Sequence, residues 1–331
     1  MANSSSSMSS VSVSSSPAYC FLSVLATDPY NTTNIPDSVN PTRTVLSVFN
    51  GVASPLTVVI NALIAWSILG DEDLRSSSFN ILLVALAVTD FLVGLLVQPI
   101  FSYHQSCLVN NCYSPCPYTV YILSLLTFCG LSVGTLTFVS LERYLAIEHP
   151  NFYRKMVTVK RFVLGTMTYW AVSLTILMSA TVFAIYNKSK LLLAPPMAFL
   201  GLSTLVILYC SIKVQVTAYR QRRTIVLQQE SVQQPDEQQR QQERLKEYKR
   251  VFMATILVIV SILFYVPFII VVAIQAVAGK DVTSDFKYVA MAICLTLLHL
   301  QSLVNPILVS LRLSYIRTSI KNKLVSCFSC N

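Results

Sequence analysis

Seven apolar stretches of this chain each carry residues that a membrane does not require, and several of them could do chemistry. Asp90 is the one acidic residue at the depth expected for a bilayer core. A carboxylate there is costly unless it is paired or protonated. Ser132 and Asn305, on two other stretches, offer oxygen ligands to join it, with Asn61 nearby. The alternative is a protonated Asp90 hydrogen-bonded to the same neighbours. Arg143, within Glu142-Arg143-Tyr144, is a permanent cation that needs a partner when desolvated. Trp170, Tyr209, Pro267 and Asn305-Pro306 mark the fourth to seventh stretches. The sequence has no metal-ligand cluster of enzyme type, no nucleophile elbow and no phosphate loop, so it does not read as an enzyme.

Long helices must position these groups. Across 331 residues the mean hydropathy is +0.60, with 54% apolar and 12% charged residues. A soluble domain carries about 25% charged residues, so the composition indicates a polytopic membrane protein. The spans run at about 44–69, 78–103, 117–144, 160–183, 192–218, 248–275 and 286–311. Each exceeds the roughly 20 residues that cross a hydrocarbon core. Prolines within periodic apolar runs favour helices over barrel strands. The expected fold is an all-α membrane protein, a bundle of seven transmembrane helices.

Charge sets the expected orientation. With the N-terminus outside, only Arg43, Lys188, Lys190, Lys280 and Lys287 of the 24 Lys and Arg fall outside. The rest lie on or near the inner side, as positive-inside topology requires. Asp71-Glu72-Asp73 makes the first inner loop acidic, but acids count little in that rule. The net charge of +9 therefore reports topology and attraction to anionic lipid, with no nucleic-acid signature.

Residues 1–43 are rich in Ser, Thr and Asn and are expected to be a disordered outer segment. Asn3 and Asn31 there, and Asn187 in the second outer loop, begin glycosylation sequons. No signal peptide is expected, because the run Ala18 to Ala26 is short and follows no basic residue. The inner loop near 219–247 reads as solvated extensions of spans five and six around a flexible centre near Pro235. Residues 312–331 form a tail whose first part alternates basic and apolar residues, which suits an amphipathic helix on the inner leaflet. Cys327 and Cys330 follow as palmitoylation candidates. Cys20, Cys107, Cys112 and Cys116 lie on the oxidising side, and several pairings among them are open.

Span three links outside to inside. At 100° per residue, Leu125, Ser132 and Arg143 fall within about 20° of one face, and about 27 Å separates Leu125 from Arg143. In span six, Pro267 removes a backbone hydrogen bond and allows a kink. A small rotation there becomes a large displacement at Glu247, about 30 Å away.

The constellation resembles the rhodopsin-like (class A) G-protein-coupled receptors over roughly residues 44–324. The resemblance implies a plasma-membrane receptor that binds an extracellular ligand and activates a heterotrimeric G protein as span six moves outward. It implies an inner switch of Glu142, Arg143, Tyr144, Tyr209, Glu247, Pro267 and Pro306, with Glu247 bridging to Arg143 at rest. It implies a sodium ion held by Asp90, Ser132 and Asn305, and no other cofactor. The expected ligand pocket is Gln98, Tyr103, His104, Leu125, Phe128, Cys129, Tyr265, Ile269, Thr296 and His299.

The chain also departs from the family pattern. Val309 stands where a tyrosine is usual, Tyr265 where a tryptophan is usual, and Gly201 where span five usually bends at proline. The second outer loop lacks the family's cysteine. Leu125 replaces the aspartate of amine receptors, and His299 the retinal-linking lysine of opsins. These absences resemble the melanocortin, cannabinoid and lysophospholipid receptors and tilt the expected ligand toward an apolar or lipid-like molecule. Val309 and Tyr265 also motivate a non-signalling or constitutively active receptor. A transporter would call for internal repeats, broken helices or several buried charges, and the sequence has none.

Overall fold

The computed structural model describes residues 36–110, 112, 115–187, 194–228, 235–278, 283 and 286–329. Seven of its helices are long and apolar enough to cross a membrane. They are α1 (Asn40–Leu69), α2 (Ser78–Val109), α3 (Pro115–Glu148), α4 (Val159–Asn187), α5 (Ala194–Gln228), α6 (Pro235–Ala278) and α7 (Met291–Arg312). A further helix, α8 (Ser314–Ser329), follows. Short helices lie at Glu72–Arg75 and Pro150–Met156. Among the described residues there is no strand, so the all-α reading stands. "Outer" and "inner" below follow the ends assigned by charge.

The first helix begins earlier than the sequence boundary at residue 43. A 3-10 turn over Asp37–Val39 leads into α1, whose first turn contains Pro41. Proline's fixed φ suits a helix start, where no N–H is needed. Val39 and Arg43 are buried, so packing rather than propensity orders this end.

In α2 the helix widens to a π turn over Val93–Val97, just before Pro99. Proline offers no N–H to the carbonyl one turn back and its ring crowds that carbonyl, so the turn expands. The extra residue per turn rotates everything beyond it. Helices α5 and α6 extend well past the membrane core, to Gln228 and from Pro235, as the solvated extensions require.

Two apolar clusters fill the bundle. The inner one joins Ile64 and Ile68 of α1, Leu82 and Leu86 of α2, and Leu136 and Val139 of α3. It continues through Met253 and Leu257 of α6 to Val309, Leu313 and Ile316. The outer one joins Val93, Val97, Phe101, Tyr121, Leu125, Leu295 and Leu298. Asp90 follows Leu86 and precedes Val93, while Asn305 lies between Leu298 and Val309. The buried polar residues therefore form a layer between the clusters.

Close approach fixes α3 against α4. A Cβ on Gly134 would stand 1.8 Å from Cε1 of Tyr169, so only glycine admits that ring. The Tyr169 hydroxyl meets Ser203 Oγ on α5 at 2.8 Å, and Trp170 Nε1 donates to Thr135 Oγ1 at 3.2 Å.

Helix α8 is docked by specific contacts. Leu313 and Ile316 are fully buried. Lys323 Nζ donates to the carbonyls of Trp66 and Ser67 at 3.0 and 3.2 Å. A lysine there neutralises the negative end of α1.

Candidate functional site

At the centre, Asp90 is buried and both its oxygens accept hydrogen bonds from α7. Ser302 Oγ donates to Oδ1 at 2.8 Å and Asn305 Nδ2 to Oδ2 at 2.9 Å. Asn61 Nδ2 donates to the Ser302 carbonyl at 2.9 Å, which brings α1 into the same layer. The Oδ1 atoms of Asn61 and Asn305 are buried and accept no hydrogen bond. Buried orphan acceptors are unusual in a folded protein. With the Asp90 carboxylate they make an all-oxygen donor set, the chemistry that suits a hard cation. Ser132 is buried on α3 but is not among the donors to Asp90.

One turn outward, His299 is a node between helices. Asn50 Nδ2 donates to Leu46 O at 2.8 Å and Thr296 Oγ1 at 3.1 Å. That leaves its Oδ1 as an acceptor, 2.9 Å from His299 Nδ1. The imidazole N–H therefore lies on Nδ1. In the neutral ring Nε2 is then the acceptor, 3.3 Å from the Tyr121 hydroxyl. Phe101 meets the ring edge-on at 4.9 Å. Gln98 Nε2 reaches the His299 carbonyl at 3.4 Å. Helices α1, α2, α3 and α7 are thus tied beneath the outer end.

Leu125, Phe128, Cys129 and Tyr265 pack together around the outer cluster. Tyr265 of α6 and Cys129 of α3 pack against the same cluster. His104 is buried, with its ring tilted against Tyr118 at 5.1 Å. Tyr103 and Ile269 depart from the expected pocket, because they are 56% and 58% exposed. Tyr103 lies about 140° around α2 from the buried Gln98, on the outward side of the helix. On α6 the inward face runs through Tyr265 and Phe268, which leaves Ile269 outside it.

At the inner end Arg143 is 1% exposed. Its guanidinium grips Glu142 through Nε and Nη2, the planar fork that arginine offers a carboxylate. Tyr153, on the short helix after α3, donates from its hydroxyl to Glu142 Oε1 at 2.6 Å. The Tyr144 and Tyr209 rings lie 6.0 Å apart, with Tyr209 exposed. Glu247 lies within α6, but its side chain falls outside the described residues. Pro267 and Pro306 both sit inside their helices.

Comparison with known proteins decides the family. The model for "7 transmembrane receptor (rhodopsin family)" matches residues 60–308. The chain belongs to that family. It is 31% identical over 137 residues to the histamine H2 receptor of Canis lupus familiaris, a match covering 41% of this chain and 37% of that receptor's length. It is 26% identical over 306 residues to trace amine-associated receptor 6 of Pan troglodytes, covering 84% of this chain and 85% of that one. The crystal structure of squid rhodopsin superposes with a TM-score of 0.70 at 15% identity, over 90% of this chain and 88% of that chain, and this likeness speaks for the fold.

Several residues that the packed bundle brings into these contacts are not among the sequence-derived candidates. Asn50, Ser302, Tyr121 and Tyr153 are examples. A signal for the first was present. Ser47, Asn50, Ser54, Thr57 and Asn61 recur every three or four residues along α1, a polar stripe on an apolar span. Thr296, His299, Ser302 and Asn305 repeat the pattern on α7. Other expectations fall outside the described residues. Asn3, Asn31, Cys20 and Cys330 are undescribed, as are the side chains of Asn187, Cys116 and Cys327. Cys107 and Cys112 are free thiols, so a bridge between them is not formed.

Proposed function

We propose that this receptor binds a small ligand in the outer half of the bundle, between α2, α3, α6 and α7. It then activates a heterotrimeric G protein by swinging the inner end of α6 outward. The burial of Arg143 carries this reading. A guanidinium is kept from solvent at the inner end of the same helix whose outer end supplies Tyr121, Leu125 and Cys129. Tyr265 of α6 packs with Cys129 of that helix against the outer cluster, two residues before Pro267, where the helix can bend. A ligand that displaces Tyr265 acts directly on the hinge.

The ligand is an apolar or lipid-like molecule. The relatives' names point to amines, but Leu125 holds the position of their aspartate. Among the described residues the buried carboxylates are Asp90 and Glu142, and neither lies beside Leu125 at the outer end to receive an ammonium. Asp90, Asn305 and Ser132 would hold a sodium ion in the resting state, with Asn61 contributing its orphan oxygen. Such an ion supplies a positive charge that balances the buried carboxylate. The receptor sits in the plasma membrane with its N-terminus outside, glycosylated at Asn3, Asn31 and Asn187 and palmitoylated at Cys327 and Cys330.

The test is basal G-protein activation in cells, read with dissociation sensors for each G-protein family. Wild type, Glu247→Ala and Arg143→Ala are compared at matched surface expression. A rise with Glu247→Ala and a loss with Arg143→Ala are expected. A flat signal from all three in every family overturns the coupling reading. It would favour a non-signalling receptor, for which Val309 is the motivating observation: it is 3% exposed in the inner apolar cluster and has no hydroxyl.

A further inference from the structure

Phe79 is the first aromatic residue of α2, one position into the helix, and is completely buried. Its ring lies under the Arg143 guanidinium, with Cζ 4.6 Å from the ring centroid. Two edges of that guanidinium are committed to Glu142 in the plane of the fork. The Phe79 ring meets the same guanidinium from α2. A planar cation above an aromatic face is attracted to the ring's negative face, most strongly where water is excluded. Phenylalanine is otherwise a poor choice beside a buried cation, since a leucine would fill similar volume without constraining orientation.

We infer that Phe79 is a positioning residue of the inner switch. Its ring face holds Arg143 flat against α2, so that Glu142 and Phe79 together form the resting cage of the guanidinium. The inference rests on the reading of Arg143 as a switch, and adds the element that keeps it shut. The cage also differs from an ordinary ion pair in what it requires for release. Glu142 is the preceding residue of α3, so a rotation of α3 carries both ends of that pair together. Phe79 belongs to another helix. Relative motion of α2 and α3 therefore breaks the π contact first and frees Arg143 to turn.

The experiment varies the ring's electrostatics at nearly constant shape. Phenylalanine at 79 is replaced through suppressor incorporation by mono-, di- and trifluorophenylalanine, which progressively empties the ring face. Purified receptor in lipid nanodiscs carries spin labels at Arg75→Cys and Lys249→Cys, and the distance distribution between them reports α6. Basal G-protein activation is read in parallel, with Glu142→Gln as the control that opens the ionic half of the cage.

The open population should grow stepwise with fluorination, by about tenfold for the trifluoro ring, as a desolvated cation–π contact allows. Phe79→Leu should match or exceed the trifluoro variant. Unchanged distances across the series overturn the inference, whatever the control does. If distances shift but no G protein responds to any variant, the cage stands and the coupling reading fails. If Glu142→Gln shifts the distances while the fluorinated series does not, the switch stands and Phe79 is only packing.

Discussion

The hydroxyl of Tyr315 donates to Asn80 Oδ1 across 2.9 Å, which ties α8 to the inner end of α2. Asn80 Nδ2 in turn donates to the Leu74 carbonyl at 3.0 Å, so the first inner loop shares the tie. Tyr315→Phe is expected to lower stability by about 1 kcal/mol, the net value of a part-buried hydrogen bond. Asn80→Ala should cost more, because it releases the loop as well. A double-mutant cycle by thermal unfolding in detergent checks this, and strictly additive effects would contradict the bond.

Tyr153 and Glu142 give a prediction about signalling. Removing the Tyr153 hydroxyl leaves Glu142 with Arg143 but without its second donor. Tyr153→Phe should raise basal G-protein activation by about fivefold, the equilibrium equivalent of about 1 kcal/mol. Surface expression should not change. A basal signal equal to wild type would mean that the tyrosine anchors its short helix and has no part in the switch.

Gly134 predicts a loss of stability. An added methyl overlaps the Tyr169 ring, which is itself held by Ser203. Overpacking of this kind costs about 1–3 kcal/mol. Gly134→Ala should therefore lower the thermal midpoint by several degrees, and Tyr169→Leu should recover part of the loss. A Gly134→Ala receptor as stable as wild type would place the α3–α4 contact elsewhere.

His299 predicts coupled costs within the polar layer. His299→Leu removes the donor to Asn50 Oδ1 and strands a buried acceptor, at about 1–3 kcal/mol. Adding Asn50→Leu removes the stranded atom as well. The double variant should unfold at a higher temperature than the sum of the single effects implies. Additive losses would show that the two side chains are not partners.

Much of this arrangement can be read from sequence, for a physical reason. In a membrane each buried polar side chain stands out against an apolar background. Asp90, Ser132 and Asn305 are legible as a cluster of that kind; Asp90 and Asn305 do meet, while Ser302 rather than Ser132 is the second donor to the carboxylate. Arg143 is legible because a cation at a helix end demands an acid, and Glu142 is beside it. The positions that go astray depend on phase. Five residues at about 100° each put Tyr103 about 140° around α2 from the buried Gln98, so the two side chains face different ways. Phe79, Tyr153 and Tyr315 are missed because each is an ordinary apolar or aromatic residue by composition. What distinguishes them is a single partner that only the packed bundle brings near.

The seat of α8 bears on how the tail is anchored. A Cβ on Gly70 would lie 2.1 Å from Lys323 Nζ, so the ammonium rests where a side chain would otherwise stand. Lys323 is four residues before Cys327. The helix is therefore steered to its berth by protein contacts, and any fatty chain on the tail moors a helix already in place. Stripping such a chain would loosen the receptor's hold on the bilayer without unshipping α8 from the bundle.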